Sequence, residues 1–123
     1  MSLGLYTENI LDLYKNPRNK GILKNPTHEF FKNNPLCGDE VALQFIVEDG
    51  KVTNIKFNGV GCAISMASAS MLTDKIKNLT MTEIKKITKD DILDMLHIPI
   101  SLARLKCALL PLDVLRGALE NGP

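Results

Sequence analysis

Three cysteines and one aspartate are the residues of this chain whose types and spacing could do chemistry. Cys37-Gly38-Asp39 places a thiol and a carboxylate two residues apart across a glycine, and Cys62 and Cys107 answer from far along the sequence. Each lies at what reads as the end of a regular element, where a side chain can face a shared pocket. Three thiols and a carboxylate make four ligands, the number a tetrahedral zinc ion or a two-iron cluster takes from protein. Thiolates are soft donors suited to zinc and iron-sulfur clusters, whereas Asp39 is a harder oxygen donor, so the set is built for exchange more readily than for permanence. The spacing is unlike a zinc finger with its paired C-x-x-C ligands: 25 positions separate Cys37 from Cys62 and 45 separate Cys62 from Cys107. The plain alternative is that the cysteines are small buried hydrophobes and Asp39 an ordinary polar residue at a strand start.

Around these four stand residues that could tune them. Lys106 and Arg104 are solvated charges or, beside Cys107, cations that lower its thiol pKa and attract an anionic cluster. Cys62 falls at a helix start, where the dipole favours a thiolate. His28 and His97 read as surface or structural histidines. Gly59-x-Gly61 permits a tight strand-to-helix reversal but lacks the rest of either nucleotide fingerprint.

The elements that must position the four follow from periodicity and turn chemistry. Tyr6, Ile10, Leu13 and Tyr14 share one helical face, and Asn16-Pro17 stops that helix. Residues 16 to 26 read as surface loop, followed by a short strand from Thr27 to Lys32 that Asn33-Asn34-Pro35 ends. Val41, Leu43, Phe45 and Val47 alternate as a half-buried strand, with Lys51 to Phe57 as its return. A two-residue Asp49-Gly50 loop would set Leu43 opposite Lys56 and mix the faces. A three-residue Glu48-Asp49-Gly50 loop, pairing Val41 with Phe57, Leu43 with Ile55 and Phe45 with Thr53, is therefore expected. Ala63 to Lys77 reads as a helix with Ile64, Met71, Leu72 and Ile76 for the core. Thr80-x-x-Glu83 and Thr88-x-x-Asp91 are capping-box patterns that open helices running to Ile87 and Leu96. Pro99 suits the first turn of a further helical segment. Pro111 means that the last helix begins close to Cys107 or kinks.

Composition narrows the class. The 123 residues read as one domain, 1–123, with 15 Lys plus Arg against 14 Asp plus Glu. That balance argues against a nucleic acid or an anionic membrane as main partner. No apolar run approaches a membrane span and no secretion signal opens the chain, so a cytoplasmic protein with free or metal-bound thiols is expected.

Taken together, Tyr14-x-Asn16-Pro17-Arg18-Asn19, Cys37-Gly38-Asp39, Gly59-x-Gly61-Cys62-Ala63 and Arg104-x-Lys106-Cys107-Ala108 make the chain resemble the NifU/IscU-type iron-sulfur cluster assembly scaffolds over nearly its whole length. The resemblance implies an α+β fold, a three-stranded antiparallel sheet with helices packed on it in the SufE/NifU-like manner. It implies that Cys37, Asp39, Cys62 and Cys107 surround one site near the surface. There iron and sulfur from a pyridoxal-phosphate cysteine desulfurase combine into a transient 2Fe-2S cluster, which passes to apo-protein acceptors. The Isc-type branch carries His before the third cysteine, where this chain has Lys106. Its Leu-Pro-Pro-Val-Lys segment has no counterpart around Ile100 to Arg104, so delivery by the dedicated Hsp70 chaperone is not implied. Arg104-x-Lys106-Cys107 looks more like the SufU-type branch, whose members bind zinc and accept sulfur, yet the insertion usual there before the third cysteine is absent. Three readings stand: a cluster scaffold; a zinc-dependent sulfurtransferase with Cys37 or Cys107 as persulfide acceptor; and a structural zinc module.

Overall fold

The computed structural model describes residues 3–35 and 38–122. Its elements are α1 (Leu3–Lys15), β1 (His28–Asn34), β2 (Asp39–Glu48), β3 (Lys51–Val60), α2 (Ala63–Ile76), α3 (Met81–Lys85), α4 (Lys89–Leu96) and α5 (Leu102–Asn121). The strands form one antiparallel sheet in the order β1-β2-β3. It is the α+β arrangement that the sequence implies.

Alternation decides which face of the sheet is covered. Val41, Leu43 and Phe45 of β2 and Val52, Ile55 and Phe57 of β3 are fully buried, and α2 and α5 lie against the sheet while α1 packs on α2. The opposite face keeps Phe31 exposed. The hairpin is made differently from the expectation. Glu48 pairs with Lys51 across a two-residue Asp49-Gly50 turn, both residues at positive φ (54° and 77°), as a type I′ turn requires. The register then shifts between Ile46 and Val47: Val47 faces Val52, but Ile46 faces Asn54. Thr53 is the extra residue of a β-bulge, and beyond it Leu43 pairs with Phe57 and Phe45 with Ile55. The face-mixing that argues against the short loop is thus cured by the bulge, which periodicity alone does not show.

Asn16-Pro17 ends α1 as expected, but the segment after it is more than surface loop. Asn19, in the left-handed region at φ 65°, donates from Nδ2 to Thr73 Oγ1 and Asp74 Oδ1, both at 3.0 Å. The Arg18 N–H donates to Ser70 Oγ at 3.2 Å and its guanidinium meets Asp74 at 2.8 Å. Phe57 N–H donates to the Asn19 carbonyl and Gly21 N–H to the Phe57 carbonyl, each at 2.9 Å, so this clasp also closes the free edge of β3.

The interior of α2, Ser65 to Ser70, is wholly buried and, apart from Met66, consists of serine and alanine. Only small side chains let the helix lie among α1, α5 and the sheet, and the buried hydroxyls need partners. Ser68 Oγ donates to the Ala108 carbonyl of α5 at 2.7 Å, and Thr73 Oγ1 to the Ala69 carbonyl at 2.8 Å. Both capping boxes form, although α3 stops at Lys85 rather than Ile87. Pro99 lies outside any helix: α5 begins at Leu102 after Ser101 and runs through Pro111, so Cys107 sits in its second turn and not at its start.

Candidate metal and sulfur site

Three elements end at one place. β2 begins with Asp39, β3 runs out into Gly61-Cys62 before α2, and the early turns of α5 bring Cys107. The ligand atoms of Asp39, Cys62 and Cys107 all lie within 4.8 Å of one another. Cys37 falls outside the described residues. Tetrahedral zinc with Zn–S of about 2.3 Å keeps its donors about 3.8 Å apart, so this spacing fits one metal ion or the edge of a small cluster with minor adjustment. Two thiols and a carboxylate are also the donor chemistry that zinc or iron takes.

Asp39 is 2% and Cys107 1% exposed, while Cys62 is half-buried and opens the site to the surface. The Asp39 carboxylate does structural work as well. Its Oδ1 accepts the Cys62 N–H at 3.0 Å, and its Oδ2 accepts from the Cys62 thiol at 3.7 Å. It ties the start of β2 to the start of α2. That contact needs Gly61: a Cβ there would lie 2.8 Å from Asp39 Oδ1 and press on Ser65 Oγ. Ser65 is fully buried and was not singled out by sequence. Its hydroxyl donates to the Cys62 carbonyl at 3.1 Å and lies 3.8 Å from the Cys62 sulfur. The signal for it is weak, a serine three residues into a helix of many serines.

The cation beside the thiols is Arg104, not Lys106. Positions i and i+3 share a helix face, so Arg104 and Cys107 stand together on α5. Its guanidinium, exposed to solvent, is held above its ordinary pKa by the charge of Cys62 first and then by a hydrogen bond to Cys107. Lys106 instead borders a groove with Leu105 and Leu109. The two histidines are structural: His28 stacks on Phe45 with ring centroids 4.9 Å apart, and His97 on Tyr6 at 4.5 Å. Among the described residues no helix is long and apolar enough to cross a membrane.

A glycine-lined reversal carrying one thiol, a buried carboxylate and a second thiol on a proline-containing helix define a protein class. The chain belongs to the family of NifU-like N-terminal domains, whose pattern matches residues 5–121. It is 33% identical over 117 residues to the iron-sulfur cluster assembly scaffold protein IscU 1 of Archaeoglobus fulgidus, covering 95% of this chain and 76% of that one. It is 52% identical over 73 residues, 59% of this chain and 49% of the relative, to the zinc-dependent sulfurtransferase SufU of Bacillus subtilis. Among solved structures, a putative iron-sulfur cluster assembly scaffold protein for the SUF system from Fervidobacterium islandicum superposes with a TM-score of 0.80 at 30% identity, covering 97% of this chain and 99% of that one.

Proposed function

We propose that this chain is a scaffold on which a 2Fe-2S cluster is assembled from iron and desulfurase-derived sulfur and then handed to acceptor proteins, with Cys37, Asp39, Cys62 and Cys107 as its ligands. The observation that carries the reading is the convergence of Asp39, Cys62 and Cys107 from three separate elements within 4.8 Å. A buried carboxylate and a buried thiol fix two corners, and half-buried Cys62 leaves a way in for iron, sulfide and an acceptor's thiolate. Arg104 stands over the thiols, where a net negative cluster gains from a cation.

The second reading, zinc-bound sulfur acceptance, is supported by the likeness to the Bacillus subtilis sulfurtransferase and by Arg104 in place beside both thiols. In it Cys37, Asp39, Cys62 and Cys107 would hold zinc, a Lewis acid that would keep the thiols as thiolates, and Cys37 or Cys107 would attack the outer sulfur of the desulfurase persulfide, releasing the desulfurase thiolate. Anaerobic incubation with iron, a pyridoxal-phosphate cysteine desulfurase and excess cysteine, which serves both as sulfur source and as the thiol that reduces the delivered sulfur to sulfide, separates the two. The scaffold reading expects a coloured protein with a 2Fe-2S absorption spectrum, lost in Cys37→Ser, Cys62→Ser and Cys107→Ser. A colourless protein that keeps one zinc and gains sulfane sulfur would decide for sulfur transfer.

A further inference from the structure

Lys106 precedes Cys107 in sequence yet turns away from it, and what it turns toward is a groove. Successive residues of an α-helix are about 100° apart, so Arg104 and Lys106 point in nearly opposite directions from α5. On the Lys106 side, between α5, the end of β1 and the start of α4, lies a cavity of about 450 Å³. Leu105, Leu109 and Leu110 line it along α5, and Lys32, Lys89 and Lys106 border it. Among the described residues of the lining Asp113 is the one acidic side chain, and it pairs with Lys32 at 3.7 Å. Three lysines against one aspartate make a local excess of positive charge in a chain whose net charge is +1.

The groove also adjoins the thiol site. Asn34, in its lining, is the register partner of Asp39, and Leu105 and Lys106 run directly into Cys107. We propose that this groove docks an extended acidic and apolar peptide segment of a partner protein, with its apolar side chains against Leu105 and Leu109 and its carboxylates toward Lys89 and Lys106. Charge complementarity selects the occupant. The half-buried Leu105, with the edge of Leu109, between separated ammonium groups matches an extended segment that carries both aliphatic side chains and carboxylates. A compact anion such as phosphate would leave the apolar lining uncovered. The assignment stands independently of whether the thiols carry a cluster or zinc.

The test uses the whole metal-free chain and a fluorescein-labelled pentapeptide alternating Asp and Leu, with the same peptide carrying Asn for Asp and another carrying Lys. Saturable binding of the Asp peptide is expected, weakening as salt rises, with amide shift changes at Lys32, Lys89, Leu105, Lys106 and Leu109. The Asn peptide should bind about tenfold more weakly. Lys89→Glu with Lys106→Glu should lose about tenfold toward the Asp peptide and gain toward the Lys peptide. Lys77→Glu, away from the groove, should change neither. Because both reversed lysines are solvent-exposed, folding survives, and an unchanged spectrum of core amides checks it. Equal binding of the Asp and Asn peptides, shifts centred on the open sheet face around Phe31, or no saturation at millimolar peptide would each overturn the proposal. So would a self-association that places a second copy in the groove. Loss of the 2Fe-2S spectrum with peptide binding intact would count against the scaffold reading alone.

Discussion

The N-termini of α2 to α5 are of two kinds. α3 and α4 open with complete capping boxes: Thr80 accepts from the Glu83 N–H while Glu83 accepts from the Thr80 N–H, and Thr88 and Asp91 repeat the arrangement. α2 and α5, the helices that bring Cys62 and Cys107 to the site, have no side-chain cap at all. Cys62 occupies the N-cap position itself, with extended backbone at φ −72° and ψ 169°, where serine, threonine, aspartate or asparagine would bond the first-turn amides. A thiol is a poor acceptor for that bond. The difference teaches that the site is assembled at places where local stability has been given up, while α3 and α4 keep their reciprocal caps.

The comparison breaks most sharply at Gly61. No left-handed backbone is needed there, so alanine is conformationally acceptable and its harm is steric, a methyl pressed between Ser65 Oγ and Asp39 Oδ1. Gly61→Ala should lower cluster or zinc loading at least about tenfold, roughly 1.4 kcal/mol in binding by the usual free-energy conversion. The check is metal and sulfide content after reconstitution, with circular dichroism to show the helices intact. Normal loading would mean that the close approach of β2 to the α2 start is not what builds the site.

At the capped helices the expectation reverses. Thr80→Ala and Thr88→Ala should each cost about 1 kcal/mol in chemical denaturation and leave loading unchanged. An effect of either on loading would mean that the two kinds of helix start are coupled.

The two kinds were unequally legible. Thr-x-x-Glu and Thr-x-x-Asp announce their caps because the bonds are local, three residues apart. The type I′ turn at Asp49-Gly50 was legible as a turn, but its loop length was not. The bulge at Thr53 restores the buried faces after the turn, and nothing within the strand's own alternation marks an inserted residue. Asp39, Cys62 and Cys107 were legible as candidates from residue type and spacing, and they do converge. Arg104 and Lys106 were both legible as cations near Cys107, but the sequence did not separate them, because adjacency in sequence is not adjacency on a helix; with α5 starting at Leu102, the i, i+3 rule selects Arg104. The clasp of Arg18 and Asn19 on Ser70, Thr73 and Asp74 joins residues more than fifty positions apart. No local signal could supply it.

Cys62→Ser sharpens the comparison from the other side. Serine at a true N-cap with this backbone can bond the amides that cysteine leaves aside, so the metal-free variant should gain up to about 1 kcal/mol over the parent. The same variant should fail to hold a cluster. A loss of stability in the metal-free protein would show that the thiol's contacts with Asp39 and Ser65 outweigh a cap.

The smallest effect expected is on acidification, and it falls on α3 and α4. The backbone N–H of Thr80, and then its side chain, hold the Glu83 carboxyl below its ordinary 4.5, and the corresponding bonds from Thr88 hold Asp91 below its ordinary 3.8. A carboxyl whose pKa is lower in the folded state contributes stability that is present above the unfolded value and lost as pH falls through the folded value, because the unfolded chain takes the proton first. The boxes should therefore begin to weaken below about pH 4.5 in α3 and below about pH 3.8 in α4. Ser101 brings no side-chain cap to α5, so that helix start has no such bond to lose. Amide exchange of Glu83 and Asp91, corrected for the intrinsic pH dependence of exchange, should report easier opening relative to Arg104 as pH is lowered from about 6 to 3. Glu83→Gln and Asp91→Asn keep an acceptor that cannot titrate, and in them the relative opening should no longer depend on pH. If α3, α4 and α5 loosen in parallel in the parent, acid acts on the whole fold and the contrast between capped and uncapped helices carries no energetic weight.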